Sequence, residues 1–199
     1  MKSIGIFGGS FNPVHNGHLN LALNAKKELG LDKVIFVPAN IPPHKSSREL
    51  AANDIRLEMC RLAVSGHDDL EVSDFEMTQT SKSYSIYTVL HFRQMYPDDT
   101  LYLLIGSDML FSFDTWYRYQ DILKNVRLAV MSRENGENDR LRKKTQELQQ
   151  YGKVHIIGSP PYPVSSTEIR SKIKNREKYS CYLAEKVVQY ITLMNLYTD

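Results

Sequence analysis

Residues 3–18 read SIGIFGGSFNPVHNGH. The stretch opens as an apolar run of strand length, Ile4-Gly5-Ile6-Phe7. It passes through Gly8 and Gly9, turns at Asn12-Pro13 and enters a helical pattern at His18 that stops at Gly30. Apolar throughout is how a strand buried on both faces reads. The same alternation recurs outward from it. Strands are expected at 3–8, 33–38, 70–75, 101–106, 126–131 and 154–157. Helices are expected at 18–29, 54–64, 84–96, 116–124, 139–150, 166–175 and 182–194. Strand then helix, repeated, predicts an α/β fold: a Rossmann-like, doubly wound parallel sheet with helices on both faces. No internal repeat or linker divides the chain, so one domain spanning residues 1–199 is expected.

The strand-to-helix turn at 8–18 is where such a fold binds ligands, outside the carboxyl ends of its strands. Gly8 and Gly9 remove side chains where a ligand would approach the backbone. The following helix offers unpaired N–H groups and the positive end of its dipole, a natural phosphate site. His15 and His18 flank it and can donate hydrogen bonds to phosphate oxygens. The segment is neither a GxxxxGK[ST] loop nor a GxGxxG fingerprint. No metal site is read: the other histidines (44, 67, 91 and 155) are scattered and HExxH is absent.

Composition excludes several classes. The chain has 199 residues, 42% hydrophobic and 24% charged, with 25 basic and 23 acidic side chains for a net charge of +2. Disorder is excluded as a whole-chain description, and a nucleic-acid partner has no basic face to bind. The run Arg140-Leu141-Arg142-Lys143-Lys144 reads as a solvated helix face. Cys60 and Cys181 form neither a CxxC nor a disulfide framework. No run approaches the ~20 apolar residues of a membrane span, and the apolar N-terminal run is too short for a signal peptide. A soluble, cytoplasmic protein without a membrane partner is expected, and a homo-oligomer is compatible with the sequence.

The run GGSFNPVHNGH (8–18) resembles the (H/T)xGH signature of the nucleotidyltransferase superfamily, and VSSTEIR (164–170) is similar to its ISSTxIR signature. Both occur, in order, one after the first strand and one opening a late helix. Within the superfamily, VPANIPPHK (37–45), RLEM (56–59), SYSIYT (83–88) and GSDM (106–109) followed by Trp116 resemble segments of the bacterial nicotinate-mononucleotide adenylyltransferases. The resemblance runs from Ile4 to the last helix. Three positions depart from the family pattern: Asn12 and Tyr87 stand where aspartates are usual, and SRENG (132–136) lacks the proline of the commoner turn.

The resemblance implies transfer of AMP from ATP to nicotinate mononucleotide, giving the deamido form of NAD and pyrophosphate, with Mg²⁺ accompanying ATP. It implies catalytic roles for His15, His18 and Arg170. Gly8, Gly9, Ser10, Phe11, Gly106, Arg133, Ser166 and Thr167 would join them in binding ATP, with Ser166 and Thr167 capping the late helix. Asn40, Lys45, Tyr84, Ser85, Asp108, Trp116 and Tyr117 would bind the mononucleotide, with Trp116 stacked on the pyridine and the backbone near Tyr84 and Ser85 receiving its carboxylate. Taken alone, Lys45 is a solvated loop lysine, Asp108 an N-cap and Trp116 a core anchor. The rival readings are the same chemistry on nicotinamide mononucleotide or phosphopantetheine, and a nucleotide sensor without catalysis.

Overall fold

The computed structural model describes residues 1–41, 50–80, 82–132 and 137–198. Its centre is a six-stranded sheet: β1 (Ser3–Gly9), β2 (Lys33–Pro38), β3 (Leu70–Val72), β4 (Thr100–Gly106), β5 (Arg127–Met131) and β6 (Val154–Ile157). The strands run in the order β3-β2-β1-β4-β5-β6, and every neighbouring pair is parallel. Chain order reverses beside β1, between β2 and β4, and a crevice opens there at the strands' carboxyl ends.

Eight α-helices join the described strands: α1 (Asn16–Leu29), α2 (Asn53–Val64), α3 (Ser85–Met95), α4 (Ser107–Phe111), α5 (Tyr119–Asn125), α6 (Asn138–Gln149), α7 (Ser166–Lys174) and α8 (Glu185–Leu193). The period of two along β1 sends Phe7 to one face and Ile4 and Ile6 to the other. Phe7 packs with Leu21, Ala22 and Ala25 of α1, Met59 and Ala63 of α2, Ile169 of α7 and Val187 of α8. Ile4 and Ile6 pack with Ile86, Val89 and Phe92 of α3, Leu110 of α4, Ile122 of α5 and Leu141 of α6. Both faces are therefore covered, which is why the strands read as continuous apolar runs. Gly30 ends α1 in the left-handed region (φ 62°), which glycine enters without a Cβ penalty.

The sheet and seven of the helices lie close to where the sequence put them. Four local readings change. The third strand stops at Val72, because Phe75–Thr78 forms a 3₁₀ turn that docks on α3. Trp116 does not open a helix: Arg118 sits at φ 57°, so α5 begins at Tyr119. Residues 180–182 form a 3₁₀ turn, and α8 starts at Glu185. The short helix α4 leaves β4 without an intervening loop and carries no pattern long enough to read. The basic run does line a surface helix, with Lys144 paired to Asp114 at 3.0 Å and Arg140 lying 3.8 Å over the ring of Phe111.

Candidate active site

A cavity of about 640 Å³ occupies the crevice, a size typical of small-molecule sites. Three helix N-termini converge on it: His15 and His18 from the start of α1, Ser165–Thr167 from α7, and Ser83–Ser85 from α3. Each brings N–H groups without intrahelical partners and the positive end of a dipole. The combination suits a ligand carrying negative charge at several points. The remaining wall comes from Gly8–Phe11, Gly106, Asp108, Thr115, Trp116, Tyr117 and Glu76.

The α1 end is built locally. His15 is 4% exposed and caps the helix, and its backbone N–H donates to His18 Nδ1 at 3.1 Å. That bond makes Nδ1 an acceptor, so neutral His18 carries its proton on Nε2, a donor. The two imidazoles stack with centroids 3.6 Å apart. Phe11 meets the His18 ring edge-on at 4.9 Å. A Cβ on Gly17 would lie 3.1 Å from the His15 ring and from Val164, so glycine lets the ring settle there. A Cβ on Gly8 would meet nothing within 4 Å, whereas one on Gly9 would press on Phe11 at 3.0 Å. Gly8 thus leaves room for a ligand, and Gly9 leaves room for Phe11.

The turn at 10–13 is held from behind. Asn12 is 2% exposed, and its Oδ1 accepts from Ala51 N–H at 3.1 Å and Tyr197 hydroxyl at 2.8 Å. A carboxylate oxygen could accept both bonds, so asparagine serves these contacts in place of the more usual aspartate. The Arg56 guanidinium is fully buried and donates to the carbonyls of Ser10 (2.8 Å) and Ala51 (3.0 Å) and to Asn53 Oδ1 (2.6 Å). Burial pushes its pKa below the ordinary arginine value.

Several expected site residues face elsewhere or work indirectly. Arg170 donates to the Asn12 carbonyl at 2.9 Å and to Thr167 Oγ1 at 3.4 Å, and it does not line the cavity. Ser166 lines the cavity and donates its hydroxyl to the Pro13 carbonyl at 2.9 Å. The cap of α7 is Ser165, whose Oγ accepts from Glu168 N–H at 3.1 Å, rather than Ser166 or Thr167. Asn40 donates to the Gln79 carbonyl (2.5 Å) and accepts from Asn53 (2.6 Å), so its side chain knots two loops together. Asp108 is the second residue of α4, whose cap is Gly106. Gly8, Gly9, Ser10, Phe11, His15, His18, Tyr84, Ser85, Gly106, Asp108, Trp116, Tyr117, Ser166 and Thr167 all line the cavity. Lys45 and Arg133 lie outside the described residues.

Trp116 is half-buried, its ring tilted against Phe113 at 4.9 Å. Tyr84 and Tyr117 approach to 5.0 Å beside it. Glu76 was not signalled by the sequence. It is 6% exposed, and its carboxylate accepts the Thr88 hydroxyl at 2.5 Å. Burial pushes its pKa above the ordinary carboxylate value, against the opposing pull of the Thr88 and Ser83 hydroxyls.

The sequence profile of the cytidylyltransferase-like family matches residues 6–172. The chain belongs to the cytidylyltransferase-like family. Among relatives of this cytidylyltransferase-like chain, one from Clostridium novyi named "Probable nicotinate-nucleotide adenylyltransferase" is 36% identical over 199 residues, 99% of this chain and 100% of that one. A Clostridium tetani protein of the same name is 37% identical over 199 residues, with the same coverage. The chain therefore falls among the nicotinate-nucleotide adenylyltransferases of the family. The fold is shared with the Plasmodium falciparum nicotinic acid mononucleotide adenylyltransferase complexed with NaAD, at a TM-score of 0.80 and 19% identity, over 99% of this chain and 98% of that one.

Proposed function

We propose that this chain transfers the adenylyl group of ATP to nicotinate mononucleotide, in NAD biosynthesis. The carrying observation is the convergence of three helix N-termini, with His15 and His18, on one cavity at the reversal point of the sheet. The reaction brings a triphosphate, a monophosphate and a pyridine carboxylate together, and each anionic group then has a positive dipole end to meet.

An ionised phosphate oxygen of the mononucleotide attacks the α-phosphorus of ATP. The bond from that phosphorus to the bridging oxygen breaks, and pyrophosphate leaves with the electron pair. The nucleophile is already deprotonated, so no general base is required. Catalysis is then positioning and stabilisation of charge on the transferred group. His18 Nε2–H and the His15 ring would meet the α-phosphate, and the N–H groups opening α7 would meet the β and γ oxygens. Arg170 acts from behind the turn, through Asn12. Lys45 and Arg133 would add positive charge. Asp108 suits ribose hydroxyls, and Trp116 with Tyr117 offers the pyridine ring aromatic faces.

Among the described residues, no group of three or more His, Cys, Asp or Glu could hold a metal ion. Of the cavity's described lining, only Asp108 and Glu76 are carboxylates. With so few carboxylates, Mg²⁺ accompanying ATP would rest mainly on triphosphate oxygens and water, and it would supply charge neutralisation for the pyrophosphate. No described helix is long and apolar enough to cross a membrane, and a cytoplasmic site accords with a reaction that consumes ATP.

Pyrophosphate release from Mg-ATP, followed with nicotinate mononucleotide, nicotinamide mononucleotide and phosphopantetheine in turn, tests the reading. Nicotinate mononucleotide should be turned over fastest. Faster turnover of phosphopantetheine would overturn the acceptor.

A further inference from the structure

We propose that Glu76 is a positioning residue for the acceptor, setting the backbone at the start of α3 so that it receives the pyridine carboxylate. The inference rests on the acceptor assigned above. Glu76 lies in the 3₁₀ turn Phe75–Thr78, and its carboxylate meets the first turn of α3. Thr88, in the first turn of α3, donates to its Oε1 at 2.5 Å. The Ser83 hydroxyl, just before the helix, favours the charged form of the same carboxylate. Between these two residues lie Tyr84 and Ser85, which line the cavity.

Three further contacts make the arrangement stiff. Ser83 Oγ accepts from the Asn40 N–H at 3.0 Å, and Ser83 N–H donates to the Ile41 carbonyl at 3.0 Å, so the segment is fixed to the end of β2. Phe75, next to Glu76, stacks on His91 of α3 with centroids 3.7 Å apart and an interplanar angle of 8°. His91 follows Thr88 by three residues and shares its helix face. The turn is thus pinned to α3 at two points, one apolar and one polar.

A buried carboxylate is costly to keep, and a valine–leucine contact would hold α3 to the turn as well. What a carboxylate adds is a charged acceptor that fixes the Thr88 hydroxyl in one direction. The N–H groups of Ser85 and Ile86 open the helix and have no intrahelical partner. Their direction decides whether they meet a carboxylate, and the Ser83 and Thr88 ties set that direction. A carboxamide offers an NH₂ where a carboxylate offers a second acceptor, so the same geometry discriminates between the two acceptors.

The test measures KM for nicotinate mononucleotide, nicotinamide mononucleotide and ATP, with melting temperature, in wild type, Glu76→Gln, Thr88→Val and Thr88→Ser. Loss of one charge-assisted tie is expected to raise KM for nicotinate mononucleotide by roughly 10-fold in Glu76→Gln and Thr88→Val. KM for ATP should stay within about two-fold, and the preference for nicotinate over nicotinamide mononucleotide should shrink. Thr88→Ser should retain nearly wild-type values because its hydroxyl remains. The double variant should be no worse than the poorer single one, since both remove the same tie. Equal rises in all three KM values, or a lowered melting temperature with every KM unchanged, would make Glu76 merely structural. If Glu76→Gln fails to fold, the two Thr88 variants decide. A wild type that turns over another acceptor and not nicotinate mononucleotide would overturn the functional reading itself, and this inference with it.

Discussion

The two ends of the cavity are built differently. The end proposed to hold phosphate, the phosphate end, is local: Gly8, Phe11, His15, Gly17 and His18 fall within eleven residues, and they hold one another. His15 N–H fixes the His18 ring, Phe11 backs it, and Gly17 makes room for His15. The acceptor end is assembled from a distance. Glu76, Ser83–Ser85, Asp108 and Trp116 come from four separate segments; Ser83 is tied to Asn40 just after β2, and Glu76 to Thr88 of α3. Chemistry concentrated in one turn leaves little freedom for variation. Specificity spread over several loops can change one contact at a time.

The largest expected effect breaks the phosphate end. His18→Ala removes the Nε2–H donor and should lower kcat by ~10²–10³-fold, the usual cost of one donor to a developing oxyanion. It also removes the acceptor for the His15 N–H, so stability should fall by about 1 kcal/mol. Steady-state kinetics beside thermal melting checks both. Near-normal kcat in a folded His18→Ala enzyme would reduce the histidine to a capping residue and dissolve the distinction between the two ends.

Trp116→Ala is the matching cut at the acceptor end. One face of the ring rests on Phe113, and stacking on the pyridine would use the other. Base–aromatic stacking contributes ~1–3 kcal/mol, so KM for the mononucleotide should rise roughly 5- to 150-fold while KM for ATP moves little. Trp116→Phe should recover part of the loss. As the chain's only tryptophan, its fluorescence should respond to nicotinate mononucleotide and little to ATP alone. A large fall in melting temperature with parallel KM changes would show packing to be its whole role.

The same contrast explains what could be read in the sequence. Strands buried on both faces gave long apolar runs, so the sheet and its order of elements were legible. The turn at 8–18 was legible as a cavity wall because its glycines and histidines are neighbours in the chain. The acceptor end was reached only through resemblance, since nothing in the chain pairs Glu76 with Thr88 twelve residues on, or Asn40 with Gln79. Arg170 shows the limit of reasoning from residue type. An arginine near a phosphate site reads as a phosphate fork, yet here one arm holds the Asn12 carbonyl. The direction of a guanidinium is set by tertiary packing, which spacing does not encode. The sharp bends at Phe11 (φ 45°) and Arg118 (φ 57°) were equally silent, because neither residue type announces a left-handed backbone.

Tyr197→Phe sharpens the comparison from behind the phosphate turn. It deletes one 2.8 Å bond to Asn12 Oδ1 and leaves the ring in place. A net loss of about 1 kcal/mol is expected, seen as a fall in melting temperature of ~2–4 °C. In the proposed reaction the turn it braces would serve ATP, so KM for ATP should rise by roughly two-fold with KM for the mononucleotide unchanged. A change confined to the mononucleotide would show that the C-terminal segment supports the acceptor end instead.

The smallest effect is a pH signature at the acceptor end, where two groups of opposite sign meet the same 3₁₀ turn. Burial against Phe75 pushes the His91 pKa below the ordinary histidine value. The folded state then binds fewer protons there than the unfolded chain, whose histidine titrates near ~6.5. The stabilisation from His91 is complete above that value and is lost as pH falls through the lowered folded one. Glu76 runs the other way. Its raised folded pKa means that burial costs most when the carboxyl is ionised, and the cost is relieved as pH falls through the folded value toward the ordinary carboxylate range. Melting temperature followed from pH 8 down to pH 4 should therefore decline less in His91→Gln than in wild type below about pH 6.5. In Glu76→Gln the relief at the acid end should be missing. His155, which burial also holds below its ordinary value at the far edge of the sheet, declines in both proteins and cancels from the difference. Superimposable profiles for wild type and His91→Gln would mean that the stacked pair stays open to water, and that the polar tie through Glu76 alone holds the turn on α3.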